Sequence, residues 1–237
     1  DAELNWNRAL PKGETVLTAA KLKERLQDPK LEPESRGFLK FLDDNFSKIA
    51  GVAGRKDKGA DKATTPGATS ATELSINDAT AVGGMNQINP EKMDAGVKFL
   101  QDNFFKLSGM DNKVSSERMD RLLFDHAFQF YSKETQDRMY DVADVVKASD
   151  QRPQSFSNGA RTKSGLQETD AAGLKPNELV DSMRIQALQK AMYGRSTAKY
   201  DGKSLSKDAE SQYEQAKKRY TDLRKNGLDD FLQKLDK

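Results

Sequence analysis

The chain has 237 residues, of which 35% are hydrophobic and 32% charged, with 39 basic residues against 37 acidic ones and no cysteine. That length can bury one large or two small cores, and the low mean hydropathy of −0.84 suits a strongly solvated helical protein carrying some disordered polar segments. The well-mixed charges exclude a clustered basic face for generic nucleic-acid binding. The missing thiols exclude disulfides, thiolate catalysis and cysteine zinc sites, and no apolar run approaches the roughly 18–20 residues that span a bilayer.

Taken in chain order, the first helix signal is Leu17-Thr18, an apolar residue and a hydroxyl that can cap AAKLKERL. Pro33-Glu34 then opens a helix in which Leu39, Leu42, Phe46 and Ile49 form one apolar stripe, with Gly51 as its stop. The stretch GVAGRKDKGADKATT that follows has Gly54 and Gly59 at phosphate-loop spacing. Ala60 and Asp61 stand where that loop needs Lys and Ser or Thr, so it reads as an ordinary loop.

Leu74-Ser75, with Asp78 three positions after the serine, signals the next helix start. Pro90-Glu91 opens another helix, whose stripe is Val97, Leu100, Phe104 and Leu107 and whose stop is Gly109. The phrases KFLDDNFSKIAG (40–51) and KFLQDNFFKLSG (98–109) match at eight of twelve positions with a constant offset of 58. They predict two helices of one kind.

After the second phrase, four residues lead to Val114-Ser115, a third start of the same grammar. Met119, Leu122, Leu123 and Phe130, with Phe124 and Phe128 on a neighbouring face, predict a broadly apolar central helix. Ser132 caps a helix marked by Met139, Val142 and Val146. Residues 147–177 lack apolar periodicity and read as a linker or mobile loop. A helix through Val180, Met183, Ala187 and Ala191 follows. Leu205-Ser206 opens a long helix through Tyr213, Ala216, Tyr220 and Leu223, stopped by Asn226-Gly227, and a short helix carries Leu228, Phe231, Leu232 and Leu235. Convincing alternating strands are absent, and the expected fold is all-α.

Helix, short loop, apolar residue, capping serine and new helix resemble the EF-hand, most closely in FFKLSGMDNKVSSERM (104–119) and YDGKSLSKDAE (200–210). The resemblance implies paired helix-loop-helix units with calcium in the loops. Such loops need oxygen donors at positions one, three and five and a bidentate glutamate at twelve. With Val114 as position eight, those places hold Leu107, Gly109, Asp111 and Arg118. Counting from Leu205 gives Ala198, Tyr200, Gly202 and Ala209; from Leu74, Gly67, Thr69, Ala71 and Asp78; from Leu17, Leu10, Lys12, Glu14 and Lys21. Asp111 and Asn112 are the candidate calcium ligands, and no loop supplies the glutamate. The resemblance is therefore to a degenerate, metal-free EF-hand-like protein, and no cofactor is expected, with calcium as the alternative.

Catalytic signatures are thin. The single histidine, His126, reads as a structural, partly buried imidazole, and a histidine triad or multi-histidine metal site is excluded by count. Asp43-Asp44, Asp229-Asp230 and Glu134 lie among basic residues and read as solvated helix faces, although two carboxylates brought together could serve a hydrolase. The expected organisation is a helical domain over 1–146 with the duplicated units, the linker 147–177, and a C-terminal helical hairpin over 178–237. The expected function is a non-enzymatic interaction or scaffolding module with a protein partner at Phe104, Phe105, Phe128 and Tyr131. A weak calcium-binding regulator and a carboxylate-dependent hydrolase are the rivals, and oligomeric state stays open. A chain beginning at Asp1 rather than Met suggests export.

Overall fold

A computed structural model describes residues 16–53, 73–151, 165–193 and 207–235. Most of these are helical, as expected, with one short antiparallel ladder. In chain order the elements are β1 (Val16–Thr18), α1 (Ala19–Leu26), α2 (Pro33–Asp44), α3 (Phe46–Ile49), β2 (Glu73–Ser75), α4 (Ile76–Asn86) and α5 (Pro90–Leu107). Then come α6 (Ser116–Phe124), a 3-10 turn (His126–Phe130), α7 (Lys133–Gln151), α8 (Glu168–Ala172), α9 (Pro176–Tyr193), α10 (Lys207–Lys225) and α11 (Leu228–Leu235).

The shared start signal has one physical form at three places. Thr18, Ser75 and Ser115 are extended N-caps whose side-chain oxygens accept the amides of Lys21, Asp78 and Arg118 at 3.2, 3.2 and 3.1 Å. The Leu205-Ser206 start lies outside the described residues; α10 begins just after it.

The repeated phrase also carries its geometry with it. Leu39, Leu42 and Ile49 are buried in the first copy, and Val97, Leu100, Phe104 and Leu107 in the second. Each stripe is broken at the same asparagine. Asn45 (φ −119, ψ 11) and Asn103 (φ −124, ψ 19) leave helical angles, and their side-chain amides donate to the carbonyls of Phe41 and Phe99 at 2.9 and 3.1 Å. An asparagine amide that competes for the i−4 carbonyl re-aims the helix end.

The described residues fall into two compact units. One joins the described parts of 16–87 with Ile185–Tyr193 and the chain from Lys207 onward; the other takes the described parts of 88–184. In the first, β1 and β2 pair in the register Val16↔Ser75, Leu17↔Leu74, Thr18↔Glu73. Leu17, Leu22, Leu39, Ile49, Leu74 and Met85 pack with Leu188, Ala216, Tyr220 and Leu232 from the chain's later part. In the second, Val114 and Leu166 form an isolated antiparallel bridge over a core that includes Leu100, Met119, Val142, Val146 and Leu179.

Three expectations change. Residues 178–237, expected as a separate hairpin, are shared between the two units. Within the expected linker 147–177, α7 runs on to Gln151, α8 forms, and Leu166, Ala171 and Leu174 are buried. The helix expected through Phe130 ends at Phe124, because Asp125 turns out of the helix (ψ 138) and its carboxylate accepts the Ala127 amide at 2.8 Å.

In the second unit α5 and α7 cross in direct backbone contact. A Cβ on Gly96 would lie 2.7 Å from the Asp141 carbonyl oxygen and 2.9 Å from Val145 Cγ2. Glycine at this point is what lets the two helices approach so closely.

Candidate functional site

The loops entering the paired segments carry the most specific polar chemistry. In the second unit, Ser108–Lys113 closes on itself: the Gly109 amide donates to the Lys113 carbonyl and the Asn112 amide to the Gly109 carbonyl, each at 3.0 Å. Asn112 adopts φ 53, the left-handed region that asparagine tolerates. It, rather than Gly109, supplies the left-handed turn. Asp111 Oδ1 accepts the Lys113 amide at 3.3 Å.

Arg118 completes this loop. From the first turn of α6 its Nε donates to the Leu107 carbonyl, the last residue of α5, at 3.2 Å. Its Cδ lies 4.0 Å from where a Gly109 Cβ would stand. Helix C-termini leave carbonyls without intrahelical donors and carry partial negative charge. A guanidinium meets both needs at once.

The first unit solves the same problem with a distant arginine. Arg219 on α10 donates to the Gly51 carbonyl at 2.6 Å and the Val52 carbonyl at 3.2 Å. Gly51 has φ 74, the turn that follows α3. Ahead of it in the chain, Arg36 donates to the carbonyls of Leu26 and Asp28 at 2.6 and 2.8 Å, closing the end of α1.

Asp78 is the first unit's buried carboxylate, with 2% of its surface exposed. Its Oδ1 accepts the Ala53 amide at 2.7 Å; its Oδ2 accepts the Ser75 amide at 2.9 Å and the Ser75 hydroxyl at 2.8 Å. The carboxylate thus ties the segment after α3 to the start of α4. Hydrogen bonds of this type are charge-assisted and among the stronger ones in proteins.

The expected site residues separate. Asp111 and Asn112 are adjacent and exposed, but both are engaged in the turn. Among the described residues, no three His, Asp or Glu side chains come together as a metal cluster. Phe105 (71%) and Tyr131 (49%) are exposed as expected. Phe104 and Phe128 are not; both are core residues. Phe104 lies on the buried stripe of α5, and the Phe128 ring is packed by Tyr131 and Tyr140, with centroids at 6.4 and 5.5 Å.

Other exposed apolar side chains escaped the sequence reading: Met110, Phe124, Phe130 and Tyr140. The signal for Phe124 and Phe130 was Asp125, an Asx-turn former inside an apolar run. His126 is also exposed rather than partly buried, bonded to Gln129 and set edge-on to Phe130 with a centroid distance of 5.6 Å.

Titration is perturbed at few described groups. Partial burial holds the Asp144 carboxyl above its usual range; Lys147 pulls the other way, Asp141 adds to the rise, and Lys92 also opposes it. Burial pushes the Tyr193 phenol up. The Asp137 carboxylate, hydrogen-bonded at 2.7 Å and one helical turn away, raises the Lys133 ammonium. These groups lie apart from the loops just described.

The chain matches no protein-family model, no curated protein and no solved structure. No helix among the described residues is long and apolar enough to cross a membrane.

Proposed function

We infer that the chain is a non-enzymatic interaction module built on paired, metal-free EF-hand-like helix-loop-helix units, with a protein partner at the exposed aromatic side chains of the second unit. The observation that carries this reading is the Arg118–Leu107 contact. Counted from Val114, Arg118 occupies the twelfth loop position, where a calcium loop places its bidentate glutamate. A guanidinium there, bonded to the carbonyl at the first position, supplies internally the positive charge that an ion would bring.

Two further features support the pairing. The loop residues aligned as position eight, Leu17 and Leu74, face each other in the β1–β2 ladder. Val114 has the same relation to Leu166, with mutual amide-to-carbonyl bonds of 3.0 and 2.8 Å. Leu166-Gln167 repeats the apolar-then-cap grammar, and the Gln167 amide donates to Asp170 at 3.2 Å. At the twelfth place counted from Leu74, Asp78 is saturated by donors of the protein itself.

The partner assignment rests on Phe105, Met110, Phe124, Phe130 and Tyr131, large apolar side chains left in solvent on one unit. Calorimetric titration of metal-stripped protein with millimolar calcium tests the loops: no saturable heat is expected. A saturable heat abolished by Asp111→Ala would replace this reading with a calcium regulator. Photo-crosslinkers placed at Phe124 and Phe130 test the surface. They are expected to trap one discrete partner that a crosslinker at Lys21 does not, and equal adducts from all three positions would remove the surface assignment.

A further inference from the structure

Between α6 and α7 the chain presents aromatic side chains on a fixed turn. Asp125 leaves the helix and its carboxylate holds the Ala127 amide, while Phe128 enters the core of the second unit. From α7, Gln136 Nε2 donates to the carbonyls of Phe128 and Tyr131 at 3.3 and 3.0 Å. Ser132 Oγ caps α7 by accepting the Thr135 amide at 3.2 Å. The turn is thus anchored at its centre and at its exit. Phe124, Phe130 and Tyr131 stay exposed around it, with Tyr140 set against Phe128 from α7. Rings on a turn held in place before association lose little conformational entropy on meeting a partner.

The charges of this segment are left unbalanced by its own pairing. Arg121 is bonded to Glu117, Lys133 to Asp137 at 2.7 Å and Arg138 to Asp141 at 2.8 Å, and Arg118 is turned to the Leu107 carbonyl. Every arginine and lysine of 116–141 is then engaged. Three exposed carboxylates have no ion pair among the described residues. They are Asp120, one helical turn before Phe124, then Asp125 next to it, and Glu134 in the first turn of α7.

The ring faces are open as well. In the other unit, Lys48 stands over Phe231 and Arg224 over Tyr220, at 5.6 and 5.9 Å from the ring centroids. Among the described residues, no such cation covers Phe124, Phe130 or Tyr131.

We propose that this surface binds a cationic protein segment, with arginine or lysine residues spaced by apolar ones. Its guanidinium or ammonium groups lie over the ring faces, whose quadrupole attracts cations, and reach Asp120, Asp125 and Glu134. Their aliphatic stems cover Phe124 and Phe130. This occupant presupposes the protein partner inferred above for the same side chains and adds that partner's chemistry. A second copy of the chain, docked here about a two-fold axis, would set the three carboxylates against their own copies. An anionic lipid surface would meet the same repulsion.

The test is an NMR titration of the full chain with three synthetic helical peptides sharing one leucine pattern. The other positions carry arginine, its uncharged analogue citrulline, or glutamate. The arginine peptide is expected to give saturable shifts centred on 124–134, with an affinity that falls as salt is raised. The citrulline peptide should bind about tenfold more weakly, and the glutamate peptide should give no shifts there. Asp120→Asn combined with Glu134→Gln, both exposed, should weaken the arginine peptide about fivefold. Phe124→Ser combined with Phe130→Ser should abolish the localised shifts.

Arginine and citrulline peptides that bind this surface equally would overturn the cationic occupant and leave a protein partner at the aromatics in place. So would an arginine affinity unchanged by Asp120→Asn with Glu134→Gln. Shifts that never saturate, or that fall elsewhere on the chain, overturn it too. Failure of the broader inference is read separately, from the crosslinkers at Phe124 and Phe130. Self-association lost in Phe124→Ser would give the face to a second copy, and pelleting with phosphatidylserine vesicles lost in that variant would give it to a membrane. Either result overturns the proposal.

Discussion

Arg118 Nε donates to the Leu107 carbonyl at 3.2 Å and joins the start of α6 to the end of α5 across the eight-residue connection 108–115. The contact places fixed positive charge at a helix C-terminus, where carbonyls converge without amide partners. In the other unit, Arg219 reaches the carbonyls of Gly51 and Val52 from far along the chain. Both copies of the repeated phrase end under a guanidinium, one local and one long-range.

Arg118→Met keeps most of the aliphatic stem and removes the donor. The variant should lose about 1–2 kcal/mol of stability, the worth of one partly exposed charged hydrogen bond with its helix-end contribution. Urea unfolding measures this, and the deficit should be the same in calcium and in chelator.

Gly96→Ala tests the α5–α7 crossing. A methyl 2.7 Å from the Asp141 carbonyl forces the helices apart, at a cost of about 1–3 kcal/mol, as overpacking does elsewhere. A melting temperature equal to that of the parent protein would contradict the crossing.

Asp78→Ala leaves the Ala53 and Ser75 amides without their acceptor inside the protein. A loss of about 3 kcal/mol is expected, within the range for breaking a buried charged network. Hydrogen exchange should speed up at Ala53 and Ser75 before it does at the α5–α7 crossing.

The aromatic side chains divide by burial. Phe104→Ala and Phe128→Ala should each cost about 3 kcal/mol or more, as large core truncations do. Phe124→Ser and Phe130→Ser, at positions 90% and 77% exposed, should stay within about 0.5 kcal/mol of the parent. The four melts together separate core from surface.

Asp144 gives a pH signature. Its folded-state carboxyl titrates above the ordinary value of 3.8, so the native state holds this proton more tightly than the unfolded chain does. The group therefore favours folding at acid pH, and that contribution is lost as pH rises through the raised folded value. Asp144→Asn should remove this dependence and leave the protein at least as stable as the parent at neutral pH. Urea unfolding across the acid range measures it.

Local rules were readable in the residues themselves. The stripe through Val97, Leu100, Phe104 and Leu107, the caps at Thr18, Ser75 and Ser115, and the proline-led starts at Pro33 and Pro90 follow from helical periodicity and from the needs of unpaired amides. The count from Val114 also came from spacing alone and ended on Arg118, whose guanidinium closes the segment after α5. Where apolar runs were interrupted by a turn former, as at Asp125, periodicity misled. The pattern runs on across the break to Phe130, whereas the helix ends at Phe124.

Only tertiary structure decided which segments share a core. Nothing local says that Leu188, Tyr220 and Leu232 pack with Leu17 and Leu74, or that Leu166 pairs with Val114 and so brings part of an expected linker into a unit. Those choices follow from burying apolar surface among elements distant in sequence, which the pattern of any single helix cannot report. The same holds for Ser35. Its sequence context marks only a first helical turn, and packing alone makes it a buried residue.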